Sequence, residues 1–78
     1  MTDISLADVT IHIDKSTDAD TRNKLENGVR IIDGVVSVHM PEDKAHLLLV
    51  EYDTNATSSS HILTMVKEIA GHAEMVGL

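Results

Sequence analysis

The sequence contains no cysteine, phenylalanine or tryptophan, and Tyr52 is its single Phe, Tyr or Trp residue. Without cysteine the chain can form no disulfide, no thiolate metal site and no cysteine nucleophile. Its core must therefore be built from Val, Ile, Leu and Met. At 78 residues the chain is long enough for one small domain, which we predict to span residues 1–78.

Long apolar runs and positive charge are also scarce. No stretch approaches the roughly 20 apolar residues that cross a bilayer, and the N-terminus lacks a basic region followed by an apolar run. Six Lys and Arg residues against thirteen Asp and Glu give a net charge of -7, which disfavours nucleic acids and anionic membranes as partners. We predict a cytoplasmic chain without membrane insertion, whose acidic surface serves solubility or a cationic partner.

Three segments alternate apolar and polar residues with the period of two that predicts strands, and the tail 72–76 predicts a short closing strand. The predicted inward residues are Val9, Ile11 and Ile13 in the first strand, Val36, Val38 and Met40 in the second, and Leu48, Val50 and Tyr52 in the third.

Two segments have helical spacing. The first helix carries Leu25, Val29 and Ile32 inward, starts with a capping box formed by Thr17 and Asp20, and ends at Asp33-Gly34. Gly28 predicts a close approach of this helix to the sheet. A second helix follows the hydroxyl residues 57–60, which offer N-caps, and stops at Gly71; its predicted inward residues are Ile62, Met65, Val66 and Ile69.

The order strand, helix, strand, strand, helix, strand predicts an α+β, ferredoxin-like fold. A four-stranded antiparallel sheet with strand order 4-1-3-2 would carry both helices on one face. On the opposite face, Leu47 and Leu49 with Val35 nearby make the predicted surface partly apolar, although such a face is usually polar. We predict that these three residues mediate dimerisation or docking of a protein partner.

Much of this pattern resembles the heavy-metal-associated domain of copper metallochaperones and metal-pumping ATPases. The matching stretches are Leu25-Glu26-x-Gly28-Val29-x-x-Ile32-Asp33-Gly34-Val35-x-x-Val38, Leu48-x-Val50-x-Tyr52-Asp53, Ile62-x-x-Met65-Val66 and Ala70-Gly71. The resemblance implies a metal loop of the form Gly-Met-x-Cys-x-x-Cys, whose thiol positions fall on Asp18 and Thr21. Because monovalent copper requires sulfur donors, we do not expect this chain to carry it.

One histidine and the aspartates near the loop form a second candidate metal site. The resemblance places His72 beside the loop, so Asp14, Asp18, Asp20 and His72 could converge on a divalent transition metal such as zinc or nickel. Helix capping explains the aspartates without a metal. His12 and His39 are predicted on the helix-free face with one strand between them, about 9–10 Å apart and too far to share an ion. We expect His46 and His61 to be exposed.

The sequence shows no Ser-His-acid spacing and no Gly-rich phosphate loop, which disfavours an enzyme. The leading hypothesis is therefore a non-enzymatic binding module that has lost the thiol site, has no cofactor, and acts in protein interaction or self-association with an unknown partner or as a homodimer. The alternative is metal-ion binding or transport through the Asp and His ligands.

Overall fold

Four strands and two helices make up the computed structural model, which describes residues 5–14, 17–44 and 46–76. Their order is β1 (Leu6–Ile13), α1 (Ala19–Arg30), β2 (Val35–His39), a 3₁₀ turn (Glu42–Lys44), β3 (Leu47–Asp53), α2 (Ser59–Ala70) and β4 (Ala73–Met75). The strands form one antiparallel sheet in the order β2-β3-β1-β4. This confirms the predicted ferredoxin-like fold and strand order.

The core lies between one face of the sheet and the two helices. Alternate residues of β1 and β3 are buried there because successive side chains of a strand point to opposite faces. Leu25 and Val29 of α1 and Ile62 and Val66 of α2, all fully buried, cover them. The buried sheet residues are Ile11, Ile13, Val38, Leu48, Val50, Tyr52 and Ala73.

A bulge changes the expected faces of β2. Val35 pairs with Tyr52, but Ser37 pairs with Glu51, so Val36 is the extra residue between two register positions. Val35 consequently packs against the core, whereas Val36 is 57% exposed. The prediction that Val36 points inward was wrong, because a bulge inserts one residue and interrupts the alternation of faces.

Both helices begin at a residue whose side chain accepts a backbone hydrogen bond. Asp18, rather than Thr17, is the N-cap of α1 and accepts from the Thr21 N–H at 2.8 Å. In α2 the N-cap is Ser58, one of the predicted hydroxyl residues, and Gly71 at φ 84° ends the helix as expected. The α1 helix ends at Arg30, earlier than predicted. Neither helix is long and apolar enough to cross a membrane, among the residues the structure describes.

Gly28 allows the two helices to approach each other. A Cβ built on Gly28 would lie 2.7 Å from Cδ1 of Ile69 in α2. The close approach predicted for this glycine is therefore real, but it is made to the other helix and not to the sheet.

Candidate functional site

Thr17 and Asp18, the two residues before α1, form hydrogen bonds with backbone groups. Thr17 donates from both its backbone N–H and its hydroxyl to the Asp14 carbonyl oxygen, and Asp18 caps the helix. The hydrogen bond from the Thr21 backbone N–H, reinforced by the Thr21 hydroxyl, lowers the pKa of the Asp18 carboxyl below its ordinary value. The Asp18 carboxylate thus serves as the N-cap of α1.

The structure does not bring the predicted oxygen and nitrogen ligands together. Asp14 and His72 lie at the same end of the sheet, because they adjoin the paired residues Ile13 and Ala73. Asp20, however, is an exposed residue of the first helical turn. Within residues 5–14, 17–44 and 46–76, no three His, Cys, Asp or Glu side chains are grouped closely enough to hold an ion. The four predicted ligands therefore form no such group within these ranges, and a metal site built from them stays a prediction.

The sheet face without helices, called the open face below, combines polar, acidic and leucine side chains. The cross-strand pairs place them in rows across the sheet, on the side opposite the buried residues. The members of the open face are Leu6, Asp8, Thr10 and His12 of β1, Ser37 and His39 of β2, Leu47, Leu49, Glu51 and Asp53 of β3, and Glu74 of β4.

Leu49 occupies the middle of the open face. It lies on one of the two inner strands, is 36% exposed, and is flanked by Thr10 and His39. Beside it is a shallow depression of about 410 Å³. Leu47 is half-buried on the same face. Val35 was expected here too, but its pairing with Tyr52 directs it to the core side, so the apolar centre consists of the two leucines.

Asp8 and Glu51 form a like-charge pair next to Leu49. They are direct cross-strand partners of β1 and β3, and both line the depression. Like charges directly opposite each other destabilise a sheet. No Lys or Arg belongs to the open face as defined above, so its charge is entirely acidic when the histidines are neutral. Sequence reasoning missed this pair, because it depends on the register between distant strands.

The positions of His12, His39 and His61 agree with the sequence-based expectations, whereas the burial of His46 does not. β3 separates His12 from His39, which confirms that one strand lies between them. His46, expected to be exposed, is half-buried, and its ring makes an edge contact with the ring of His12 at a centroid distance of 5.1 Å. His61 is exposed, as predicted. The sequence did not predict the contact between His12 and His46, because it depends on the register of β1 against β3.

Solved structures with this fold are found among metal-binding domains, whereas no protein-family model and no curated protein matches the sequence. A copper-binding domain of HMA7, a P-type ATPase, is 17% identical with a TM-score of 0.78, over 90% of this chain and 93% of that domain. The yeast copper transporter domain Ccc2a is 16% identical with a TM-score of 0.77, over 90% and 94%.

A third solved structure with the same fold is oxidized MerP from Ralstonia metallidurans CH34. It is 14% identical with a TM-score of 0.75, over 92% of this chain and 96% of MerP. These likenesses confirm the fold of the heavy-metal-associated domains for this chain. The residues here do not fit a soft metal ion, because the sequence has no cysteine and the two thiol positions implied by the resemblance hold a capping aspartate and Thr21.

Proposed function

We propose that this chain is a non-catalytic binding module whose open face docks a cationic partner protein. The observation that carries the proposal is the exposed Leu49 beside the acidic pair of Asp8 and Glu51. An apolar centre with a polar rim is the usual anatomy of a protein interface. A basic partner would neutralise the acidic pair and cover the leucine in one step.

Charge favours a different protein over a second copy of the chain as the partner. Two copies docked through their open faces would bring two acidic surfaces together, each containing Asp8, Glu51 and Glu74, on chains that each carry a net charge of -7. Like-charge contacts suppress such an association, whereas a positive surface is attracted and steered to the site. We therefore infer a complex with a different protein.

The proposal is tested by affinity capture with a matched pair of variants. Leu49→Lys adds a positive charge at the centre of the open face. Ile31→Lys makes the same change in charge at a residue that is 79% exposed and follows α1. Both variants and the unmodified chain are immobilised equally, and the bound proteins are quantified from the source lysate by mass spectrometry at two salt concentrations.

We expect a basic protein that binds the unmodified chain and the Ile31→Lys variant alike, is lost from Leu49→Lys, and is weakened by salt because the contact is electrostatic. A partner retained by Leu49→Lys, or lost equally from both variants, would contradict docking through the open face. The cytoplasmic location inferred from the sequence stays a prediction.

A further inference from the structure

His12 and His46 form a pair of imidazoles that the docking proposal does not use. His12 is on the open face of β1, and His46 immediately precedes β3. Their rings are 5.1 Å apart between centroids with an interplanar angle of 66°, and both residues are half-buried. The pair is distinct from His39, which lies on the far side of β3.

Backbone pairing holds the two rings in this arrangement. The Ile13 N–H donates to the His46 carbonyl oxygen at 2.8 Å, and His12 is the cross-strand partner of Leu47. The backbone of His12 therefore belongs to the ladder between β1 and β3, and the backbone of His46 is hydrogen-bonded next to it. Groups positioned on strands are held more precisely than groups on loops.

The separation of the rings matches two ligands of one ion. An ion bound at about 2.0–2.1 Å by one nitrogen of each imidazole, at a near-tetrahedral angle, places the ring centroids roughly 5 Å apart. The 5.1 Å observed here agrees with that value. Imidazole is a ligand of borderline divalent ions such as Zn²⁺, Ni²⁺ and Cu²⁺.

We propose that His12 and His46 form an exchangeable site for a divalent transition-metal ion on the sheet. No third His, Cys, Asp or Glu among the described residues completes the group, so water fills the remaining coordination positions. The negative charge of the chain, with Glu74 paired to His12 on β4, favours a cation at this place. The site differs in position and in ligand chemistry from the loop before α1.

The test is a titration of the isotope-labelled chain with ZnCl₂, followed through the imidazole and backbone amide signals by NMR. We expect saturable shifts that are largest at His12 and His46. His46→Gln should weaken Zn²⁺ binding by about tenfold or more, because losing a ligand costs at least as much as losing a group that orients one. The matched control His39→Gln removes an exposed histidine of the same face and should bind Zn²⁺ like the unmodified chain.

A second measurement uses the unmodified chain alone, so it does not depend on whether a variant folds. Cu²⁺ binds imidazole sites more tightly than Zn²⁺ and broadens nearby NMR signals because it is paramagnetic. Broadening centred on the two rings supports the proposal. Broadening centred on His72 or Asp14, equal effects of His39→Gln and His46→Gln, or no saturable response to either ion would overturn it. None of these outcomes depends on the partner protein.

Discussion

Leu48 and Leu49 are neighbours on β3, and truncating each to Ala compares the two faces of the sheet directly. Leu48 is 0% exposed in the core and Leu49 is 36% exposed on the open face. Leu48→Ala should cost about 2–5 kcal/mol of the free energy of unfolding, because the lost atoms leave a cavity. Leu49→Ala leaves no enclosed cavity, so only part of the transfer free energy of a leucine is lost, about 1 kcal/mol.

The assay is urea unfolding followed by circular dichroism. A small domain loses about 1 kcal/mol of stability per molar urea, so the midpoints of the two variants should differ by roughly 1–4 M. A chain of this length has a total stability of about 4–12 kcal/mol. Leu48→Ala therefore removes a large share of it, while Leu49→Ala should leave the domain folded and available for binding assays.

Equal losses in the two variants would contradict this prediction, because they would mean that Leu49 is covered in the free protein. Repeating the experiment at about tenfold higher protein concentration shows whether a second copy of the chain covers Leu49, since stability conferred by association rises with concentration. We expect no change in the midpoint. A midpoint that rises for the unmodified chain but not for Leu49→Ala would show that a second copy occupies the open face.

Two further predictions concern the glycines and the cap of α1. Gly34→Ala should lower the free energy of unfolding by about 2–5 kcal/mol, because its φ of 98° is strained for alanine and the new Cβ would lie 2.7 Å from the Cβ of Ala56. Gly71→Ala has the same kind of strain at φ 84° but open space around the new Cβ, so it should lower the free energy of unfolding by about 1–2 kcal/mol. Equal urea midpoints of the two variants would contradict this difference. Because the pKa of Asp18 is lowered in the folded chain, its stabilising contribution is present above the ordinary value of 3.8 and is lost as the pH falls through the folded pKa. Asp18→Asn should therefore lose less stability than the unmodified chain between about pH 6 and pH 2 in urea unfolding, and equal losses would exclude this role.

Local patterns in the sequence were sufficient for most of the fold. The alternation in β1 and β3 correctly assigned Ile11, Ile13, Leu48 and Val50 to the core, because a strand buried on one face repeats every two residues. Ser58, within the predicted hydroxyl run, is the N-cap of α2. These features depend on neighbours along the chain, which a single sequence displays.

Features that depend on contacts between distant segments were not predictable in the same way. The bulge at Val36 reversed the expected positions of Val35 and Val36, and Gly28 was assigned to the wrong neighbouring element. The pairing of Asp8 with Glu51 likewise depends on the register between β1 and β3. The candidate site is built largely from such contacts, which explains why the sequence identified its leucines but not its charges.

The proposed docking function implies that the acidic residues of the open face serve binding, although the like-charge pair lowers the stability of the sheet. Asp8→Lys tests it most directly, because it converts the like-charge pair with Glu51 into an opposite-charge pair worth roughly 0.2–1 kcal/mol. Urea unfolding and partner capture are measured on the same preparation. The expected result is a higher midpoint of unfolding together with weaker capture. An unchanged capture, or a loss of stability, would contradict it.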